Sequence, residues 1–392
     1  IYSYARLRVS NLNTYFESSL MRGEEELLWD TDTSGSGTST YSNNEKMLSL
    51  SVNGNGDKAI RQTKEYFRFQ TGKSHYIFLG TSFGNHSTNV IKQCGFFEDN
   101  NGFMVRQNDD GTYAIVIRSN VTGTIQETVI PQNSWNRDKL DGTGDTEINV
   151  DFTKLQIIYL DFSYSGNVSI RFGIMIDNKV VLAHIFSSFN VSDVNTFSSA
   201  SLPITYEIES TGGTSTLKQQ SSCILIDGPV EKRGITRSVN TGIDPIIVNK
   251  DETIPVLSLR LKSQNRDSVI IPESINIIHT EKKATVFYEI YMFTNVFGGN
   301  WVDVQGIDSM AEYNISANSF SGGILIDSGY VPPGKEGAGI NKNIVGAGLN
   351  SNVESILKLS GNINGTTDII TIVLSSIVKD APSSVSMNYY EI

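Results

Sequence analysis

Apolar and polar residues alternate in short runs along this chain, and the clearest series lies between Phe96 and Phe189. Each run has about the length of a β-strand, is rich in β-branched and aromatic residues, and is bounded by Gly, Asn or Asp. The runs are 102–106, 113–119, 155–162, 168–177 and 179–186. They predict strands arranged around one polar connection, residues 133–144, which contains Trp135.

Two boundaries within this series predict tight turns. Asp109, Asp110 and Gly111 separate two of the runs, and Asp177 and Asn178 separate another two. These residue types tolerate the positive φ that a short hairpin turn requires. Both pairs of runs are therefore predicted to be antiparallel hairpins.

The remainder of the first half adds further strand patterns. They are 4–9, 46–52, one long strand over 60–74, then 75–79, 202–208 and 222–227. Residues 29–44 are rich in Gly, Ser and Thr and are predicted to be a long loop. Residues 15–28 carry a loose helical spacing of apolar residues that Gly23 interrupts, which predicts a loop or one short helix.

A boundary is predicted at 233–244, where charges, Gly234 and Gly242 replace the apolar pattern. A second strand series follows at 255–261, 274–278, 284–292, 354–359 and 369–374, with a Gly-rich excursion over 322–352. The predicted domains are 1–232 and a smaller one at 245–392. Since few helical patterns intervene, the predicted fold class is all-β, with two antiparallel β-sandwich (jelly-roll-like) domains.

Composition narrows the classes of partner. The 392 residues carry a net charge of −11 without a basic stripe, which argues against nucleic acid because phosphates require clustered Lys and Arg. No apolar run is long enough for a membrane span. The two cysteines, Cys94 and Cys223, leave open either a single disulfide or two reduced thiols, of which the thiols are favoured.

The candidate motifs for catalysis or metal binding lack the surrounding residues that such sites require. Gly80-Thr81-Ser82-Phe83-Gly84, with His86 nearby, fits a nucleophile elbow, but no helical pattern follows it. The stretch Asp30–Gly35 begins like a calcium loop, yet Tyr41 stands where the bidentate Glu belongs. A comparable calcium candidate involves Asp141 and Asp145, around Gly142 and Gly144. No catalytic residue, metal ligand or cofactor is predicted.

Glycan chemistry gives a small set of candidates. Paired carboxylates could hydrolyse a glycan, and Glu98, Asp99 and Asp161 are the nearest ones. Aromatic side chains could stack on a sugar, although a buried anchor is the favoured role for Trp135. The predicted binding residues are Trp135, Arg137, Asp138, Lys139 and Tyr164.

Several segments of the first half resemble a module of virion structural proteins from tailed phages and large DNA viruses. The segments are 59–74, 95–103, 116–119, 135–144 (WNRDKLDGTG), 151–157, 168–173 (VSIRFG) and 202–208, so the resemblance covers about residues 1–228. Thr71 stands where that pattern has proline. The resemblance implies a non-enzymatic, fibre-like or minor capsid component located in the virion. It would assemble with other virion proteins as a homo-oligomer, with a trimer favoured, and could contact a host glycan or receptor.

The alternative is a carbohydrate-binding protein with lectin-like or glycosidase function. The two hypotheses differ in whether the isolated protein binds or cleaves a glycan. Contacts with a subunit or glycan are expected in residues 245–392, where a long Gly-rich loop lies near 334–348. The loop 135–144 is the competing location.

Overall fold

The computed structural model describes residues 11–165, 167–191, 193–230, 234–304, 309–332, 338–343 and 358–392. The chain divides into two compact units, Ile1–Glu231 and Lys232–Ile392. The strand predicted at 4–9 and most of the one predicted at 354–359 lie outside the described residues, as does most of the loop near 334–348.

The first unit is built from strands, with longer connections before β12 and before β15. The strands are β1 (Leu12–Ser18), β2 (Trp29–Ser34), β3 (Thr38–Ser42), β4 (Met47–Val52), β5 (Asn55–Thr63), β6 (Phe67–Arg68), β7 (Ser74–Ser82), β8 (Val90–Phe97), β9 (Gly102–Gln107), β10 (Tyr113–Ser119), β11 (Gln126–Pro131), β12 (Gln156–Ser165), β13 (Asn167–Ile176), β14 (Lys179–Ser187), β15 (Ser201–Leu202), β16 (Ile204–Thr211) and β17 (Ser215–Asp227). One 3-10 turn, Gln132–Ser134, follows β11.

These strands form two large antiparallel sheets. Sheet A has the order β14-β13-β12-β7-β17-β4-β3, with β1 also paired to β17. Sheet B has the order β11-β10-β9-β8-β16-β5-β2, and β6 pairs with β15 separately. The aromatic core joins the two large sheets, because Phe162 of β12 packs against Phe96 of β8 at 5.6 Å and Phe103 of β9 at 5.4 Å between ring centroids. The first unit is therefore a β-sandwich.

Local turn chemistry accounts for both predicted hairpins. Asp177 and Asn178 have φ angles of 49° and 61°, and they join β13 to β14. Gly111 has a φ of 86° between β9 and β10, where Asp110 accepts hydrogen bonds from the backbone and hydroxyl of Thr112. The hairpin predictions are confirmed.

Two predictions for the first unit are wrong, and a third, the loop or helix over 15–28, holds only for residues 19–28. The loop expected over 29–44 contains β2 and β3, and the loop or helix expected over 15–28 begins with part of β1. The long strand expected over 60–74 is broken between β5 and β6. Pairing with strands distant in the sequence accounts for most of these differences: β1 pairs with β17, β2 with β5, and β6 with β15, whereas β3 forms a local hairpin with β4.

The second unit is also built from strands. They are β18 (Ile235–Asn240), β19 (Ile246–Val248), β20 (Thr253–Leu261), β21 (Ile270–His279), β22 (Val286–Met292), β23 (Asn295–Phe297), β24 (Val302–Asp303), β25 (Ala311–Asn314), β26 (Ser319–Ser321), β27 (Ile324–Val331), β28 (Ala338–Asn343), β29 (Ile369–Ser376) and β30 (Ala381–Glu391). Strand β18 occupies part of the predicted 233–244 linker.

Two sheets enclose the core of the second unit. Sheet C has the order β18-β30-β21-β28, with β19 paired to β30, and sheet D has the order β24-β25-β20-β29-β22-β27. Strands β23 and β26 form a separate two-stranded ribbon. Buried residues of both sheets, such as Met387 of β30 and Ile372 of β29, belong to one hydrophobic cluster. The all-β prediction with two antiparallel sandwich domains is confirmed. The described residues contain no helix that is long and apolar enough to cross a membrane.

Candidate functional site

Sheet B carries polar side chains on the face that points away from the core. Successive side chains of a strand point to opposite faces of the sheet. Because Cys94 and Phe96 of β8 lie in the core cluster, Gln93, which directly precedes Cys94, points to the other face. We call the outward set the polar face; its members are Lys58, Gln62, Gln93, Arg106, Arg118, Glu127, Thr205 and Glu207. The antiparallel register places Gln93 directly opposite Glu207 on one side and Arg106 on the other.

The polar face is connected by hydrogen bonds across five strands. Gln93 Nε2 donates to Glu207 Oε1 at 3.0 Å, and Arg106 Nε donates to Gln93 Oε1 at 3.0 Å. Arg106 also makes two 2.8 Å hydrogen bonds to the two carboxylate oxygens of Glu127. Arg118 Nε donates to Glu127 Oε1 at 3.0 Å, which completes the series. Each side chain is thus held in place by its neighbours.

Apolar residues on the same face lie beneath this network. Phe97, Met104, Ala114 and Val116 form a small buried cluster separate from the main core. The guanidinium carbon of Arg118 lies 5.6 Å from the centroid of the Phe97 ring, a cation–π distance. Arg118 therefore packs on a small apolar cluster that is closed to solvent.

Two carboxyl groups of the network have oppositely shifted pKa values. Burial raises the pKa of Glu207, whose side chain is 8% exposed, and the ammonium of Lys58 at 3.4 Å only partly offsets that. Burial would also raise the pKa of Glu127, but hydrogen bonds and charge from Arg106 and Arg118 outweigh it and lower the pKa. Near neutral pH the face thus holds a more readily protonated and a firmly ionised carboxyl group.

A polar turn lies at one end of the polar face. Asn101 Nδ2 donates to Glu98 Oε1 at 3.1 Å and to Ser198 Oγ at 2.9 Å, and Arg118 donates to the backbone carbonyl of Glu98 at 3.1 Å. Burial raises the pKa of Glu98. This turn extends the hydrogen-bonding surface beyond the strands.

The predicted binding loop is built mainly on internal contacts. Trp135 is buried in the core cluster, and its Nε1 donates to the Ile130 carbonyl at 3.2 Å. Asp138 is also buried and accepts hydrogen bonds from the backbone of Leu140 at 2.8 Å and the hydroxyl of Thr146 at 2.7 Å. The anchoring role favoured for Trp135 agrees with this position.

The other predicted binding residues lie in different surroundings. Arg137 is exposed and its backbone N–H donates to Ala183, whereas Lys139 is half-buried. Tyr164 packs against Phe69 with ring centroids 5.3 Å apart. The binding role of these residues stays a prediction.

The carboxylates considered for glycan hydrolysis are divided between the two sheets. Glu98 and the exposed Asp99 lie in the turn after β8 of sheet B. Asp161 is fully buried in sheet A, where it accepts a 3.0 Å hydrogen bond from Tyr159 and lies 3.7 Å from Arg171. The three residues therefore do not form one pair across a common face.

The weaker motifs are integrated into the sandwich. Ser82 ends β7 and its hydroxyl donates to the Thr153 carbonyl at 2.8 Å, while His86 is exposed. Asp30 belongs to β2 rather than to a loop. Within the described ranges, no group of three or more His, Cys, Asp or Glu residues is arranged to hold a metal ion.

Sequence reasoning missed the polar face, although part of its signal was present. Arg106 and Arg118 occupy outward positions in two predicted strands, and such positions favour solvent or ligand. The Gln93–Glu207 contact joins residues 114 positions apart. Only the pairing of β8 with β16 brings them together.

Comparison with known proteins gave no matching family model and no curated relative. Among solved structures, a glycosyl hydrolase family protein from Mycobacterium fortuitum has 10% identity and a TM-score of 0.38, covering 54% of this chain and 99% of that one. A Bacteroides ovatus family 16 glycosyl hydrolase in complex with a glucan product has 9% identity and a TM-score of 0.37, covering 53% and 99%. A legume lectin-like domain from Entamoeba histolytica has 10% identity and a TM-score of 0.31, covering 53% and 95%.

These comparisons correct two expectations. The virion structural role and the absence of enzymatic activity are contradicted, because the similar structures are glycosyl hydrolases, transglycosylases and lectin-like domains. At this identity and TM-score the likeness does not transfer an activity or its residues to this chain.

Proposed function

We propose that this protein binds carbohydrate and that the solvent-accessible members of the polar face of sheet B, Lys58, Arg106, Arg118 and Glu127, hold the glycan, while the buried Gln62, Gln93, Thr205 and Glu207 position them. The observation that supports the proposal is the continuous hydrogen-bonded series Glu207–Gln93–Arg106–Glu127–Arg118. Carboxylate, amide and guanidinium groups are planar and can each bind two neighbouring hydroxyls. Sugars offer such hydroxyl pairs along their edges.

The hydrogen-bonded series also lowers the entropic cost of binding a ligand. Arg106 and Glu127 fix each other through two hydrogen bonds, and Gln93 is held from both sides. Side chains that are already ordered lose little conformational entropy when a ligand arrives.

Glycoside hydrolysis uses one carboxyl group as a proton donor and a second, ionised one as its partner. The raised pKa of Glu207 and the lowered pKa of Glu127 suit these two roles. Gln93 and Arg106 intervene between the two carboxyls, however, and β16 and β11 are four strands apart, about 19 Å at 4.8 Å per strand. That exceeds the roughly 10 Å within which such a pair acts. We therefore assign these two residues to binding.

Affinity electrophoresis of the full chain in gels containing soluble polysaccharides tests the proposal. Wild type should be retarded by at least one neutral or acidic glycan. Arg106→Ala should bind about 10-fold more weakly, because it breaks the series at its centre, whereas Arg22→Ala, at an exposed arginine outside the polar face, is the matched control and should bind like wild type. Arg106→Lys, which keeps the charge but loses the paired hydrogen bonds, should also weaken binding. Absence of retardation by every glycan, or unchanged binding in Arg106→Ala, would reject the proposed function.

A further inference from the structure

The outward face of sheet D in the second unit carries two pairs of aromatic rings. Tyr288, Ile290 and Met292 of β22 belong to the buried core, so the alternating residues Phe287 and Tyr291 point away from it. Phe287 stands opposite Tyr330 of β27, and their ring centroids are 5.0 Å apart at an interplanar angle of 44°. Tyr330 is 61% exposed. An aromatic ring this open to solvent is available to a ligand.

The second pair lies further along the same strand. Tyr291 packs against Phe320 of the ribbon strand β26, with ring centroids 5.3 Å apart at 45°. Phe287 and Tyr291 are four residues apart on β22, which corresponds to about 13 Å at 3.3 Å per residue. The two aromatic pairs could therefore contact separate rings of one extended oligosaccharide.

Polar groups lie between and beside the aromatic pairs. Glu289 sits between them on β22 and accepts a 3.0 Å hydrogen bond from the hydroxyl of Tyr291. Beside Phe287, the hydroxyl oxygens of Thr253 and Ser375 are 2.7 Å apart and share a hydrogen bond. A face with separate rings and intervening hydroxyl and carboxylate groups matches a sugar chain, which has C–H faces and hydroxyl edges.

We propose that this surface, the aromatic face of Phe287, Tyr291, Phe320 and Tyr330, is a second glycan-binding site that takes a neutral polysaccharide. The inference rests on the proposed carbohydrate-binding function and adds a site and a ligand class. Stacking on Tyr330 and Tyr291 provides the binding surface. The carboxylate of Glu289 at the centre, in a chain of net charge −11, disfavours uronate-bearing or sulfated glycans.

The proposal is tested with full-length variants in affinity gels that contain either neutral polysaccharides (mixed-linkage β-glucan, xylan, galactomannan) or acidic ones (alginate, polygalacturonate). Tyr330→Ala should weaken binding to a neutral glycan about 5- to 10-fold, whereas Tyr330→Phe should bind within about 2-fold of wild type because the ring is retained. Tyr390→Ala, at a partly exposed tyrosine of β30 in sheet C, is the matched control and should bind like wild type.

The outcomes separate the two proposals. Binding that is lost in Tyr330→Ala but not in Tyr390→Ala supports the aromatic face. Binding that is lost in Arg106→Ala yet unchanged in Tyr330→Ala overturns the aromatic face and leaves the polar face in place. Retention of acidic glycans alone contradicts the ligand class, and no glycan binding by wild type rejects both sites. If light scattering shows self-association that Tyr330→Ala abolishes without affecting glycan binding, the face is a contact between copies instead.

Discussion

The indole ring of Trp29 lies 5.3 Å from the guanidinium carbon of Arg61, and both side chains are almost completely buried in the first unit. Arg61 donates to the hydroxyl of Thr31 at 2.9 Å and to the backbone carbonyl of Glu24. Trp29 Nε1 donates to Ser18 Oγ at 2.8 Å. Burial lowers the pKa of Arg61 to about 10, yet the residue remains a cation at neutral pH, so these contacts hold a charge inside the sandwich.

Replacing this cation should destabilise the first unit. Arg61→Ala removes the cation–π contact and leaves the Glu24 carbonyl without its donor, so the free energy of unfolding should fall by about 3 kcal/mol. Urea denaturation followed by fluorescence measures this. The exposed Arg22→Ala should stay within about 0.5 kcal/mol of wild type. Equal stability of the two variants would show that the buried contacts contribute little.

Acid should destabilise the first unit through His75. Burial lowers the pKa of His75 to about 4, and its ring stacks on Phe162 with centroids 4.8 Å apart. The unfolded chain takes up a proton at about pH 6.5, before the folded protein does, so this stabilising contribution is complete above that pH and is lost as the pH falls toward 4. The loss should reach about 3 kcal/mol at pH 4.

The test compares variants across that pH range. In His75→Phe the stacked ring is kept and the titrating group is removed, so its free energy of unfolding should fall less than that of wild type between pH 7 and pH 4. The exposed His86→Phe should follow wild type. Parallel pH curves for wild type and His75→Phe would contradict the assignment.

The parts of the fold that local sequence encodes were predictable, and those set by distant pairing were not. The hairpin at Asp177 and Asn178 depends on two residues that accept positive φ. In contrast, β2 is rich in Thr and Asp and becomes a strand through β5, and β1 does so through β17 at the other end of the first unit. Strand β30 was not among the predicted strands, although its sequence has the alternating pattern of a strand: Ala381, Val385, Met387 and Tyr389 all point into the core.

The candidate sites could not be predicted from the sequence either, because strand pairing brings their residues together. Arg106 and Glu127 belong to separate strands whose charges look like ordinary surface residues in the sequence. Their meeting depends on the side-by-side order of β9, β10 and β11. The Tyr291–Phe320 pair likewise depends on the placement of the ribbon against sheet D. Neither arrangement has a short motif.

The two free thiols should resist alkylation in the folded protein. Cys94 is fully buried and burial raises its pKa far above the usual range, while burial raises the pKa of Cys223 to about 11. At pH 8 iodoacetamide should modify Cys223 roughly 100-fold more slowly than an unperturbed thiol, and Cys94 only after unfolding. Mass spectrometry of peptides from folded and urea-treated protein gives the two rates. Rapid labelling of Cys94 in the folded state would contradict its burial.

The loop after β11 should depend on Asp138. Burial would raise the pKa of this carboxyl, but hydrogen bonds from Leu140 and Thr146 outweigh it and keep the pKa below its usual value. Asp138→Ala leaves those donors unpaired and should lower the free energy of unfolding by about 3 kcal/mol. The exposed Asp145→Ala is the control for the same loop. Chemical denaturation curves measure both, and a stable Asp138→Ala would mean that water replaces the carboxylate.

The order of strands in the first unit has a consequence for synthesis on the ribosome. Strand β16 lies between β8 and β5, and β17 lies between β7 and β4, so the last two strands of this unit fill the middle of both sheets. Until they emerge, β4, β5, β7 and β8 each keep an unpaired edge that invites pairing with other chains. A nascent chain that stalls before residue 204 would therefore be prone to aggregation and proteolysis. Because every central pairing spans a long stretch of sequence, folding should also be slow and should begin only when translation has passed the end of β17.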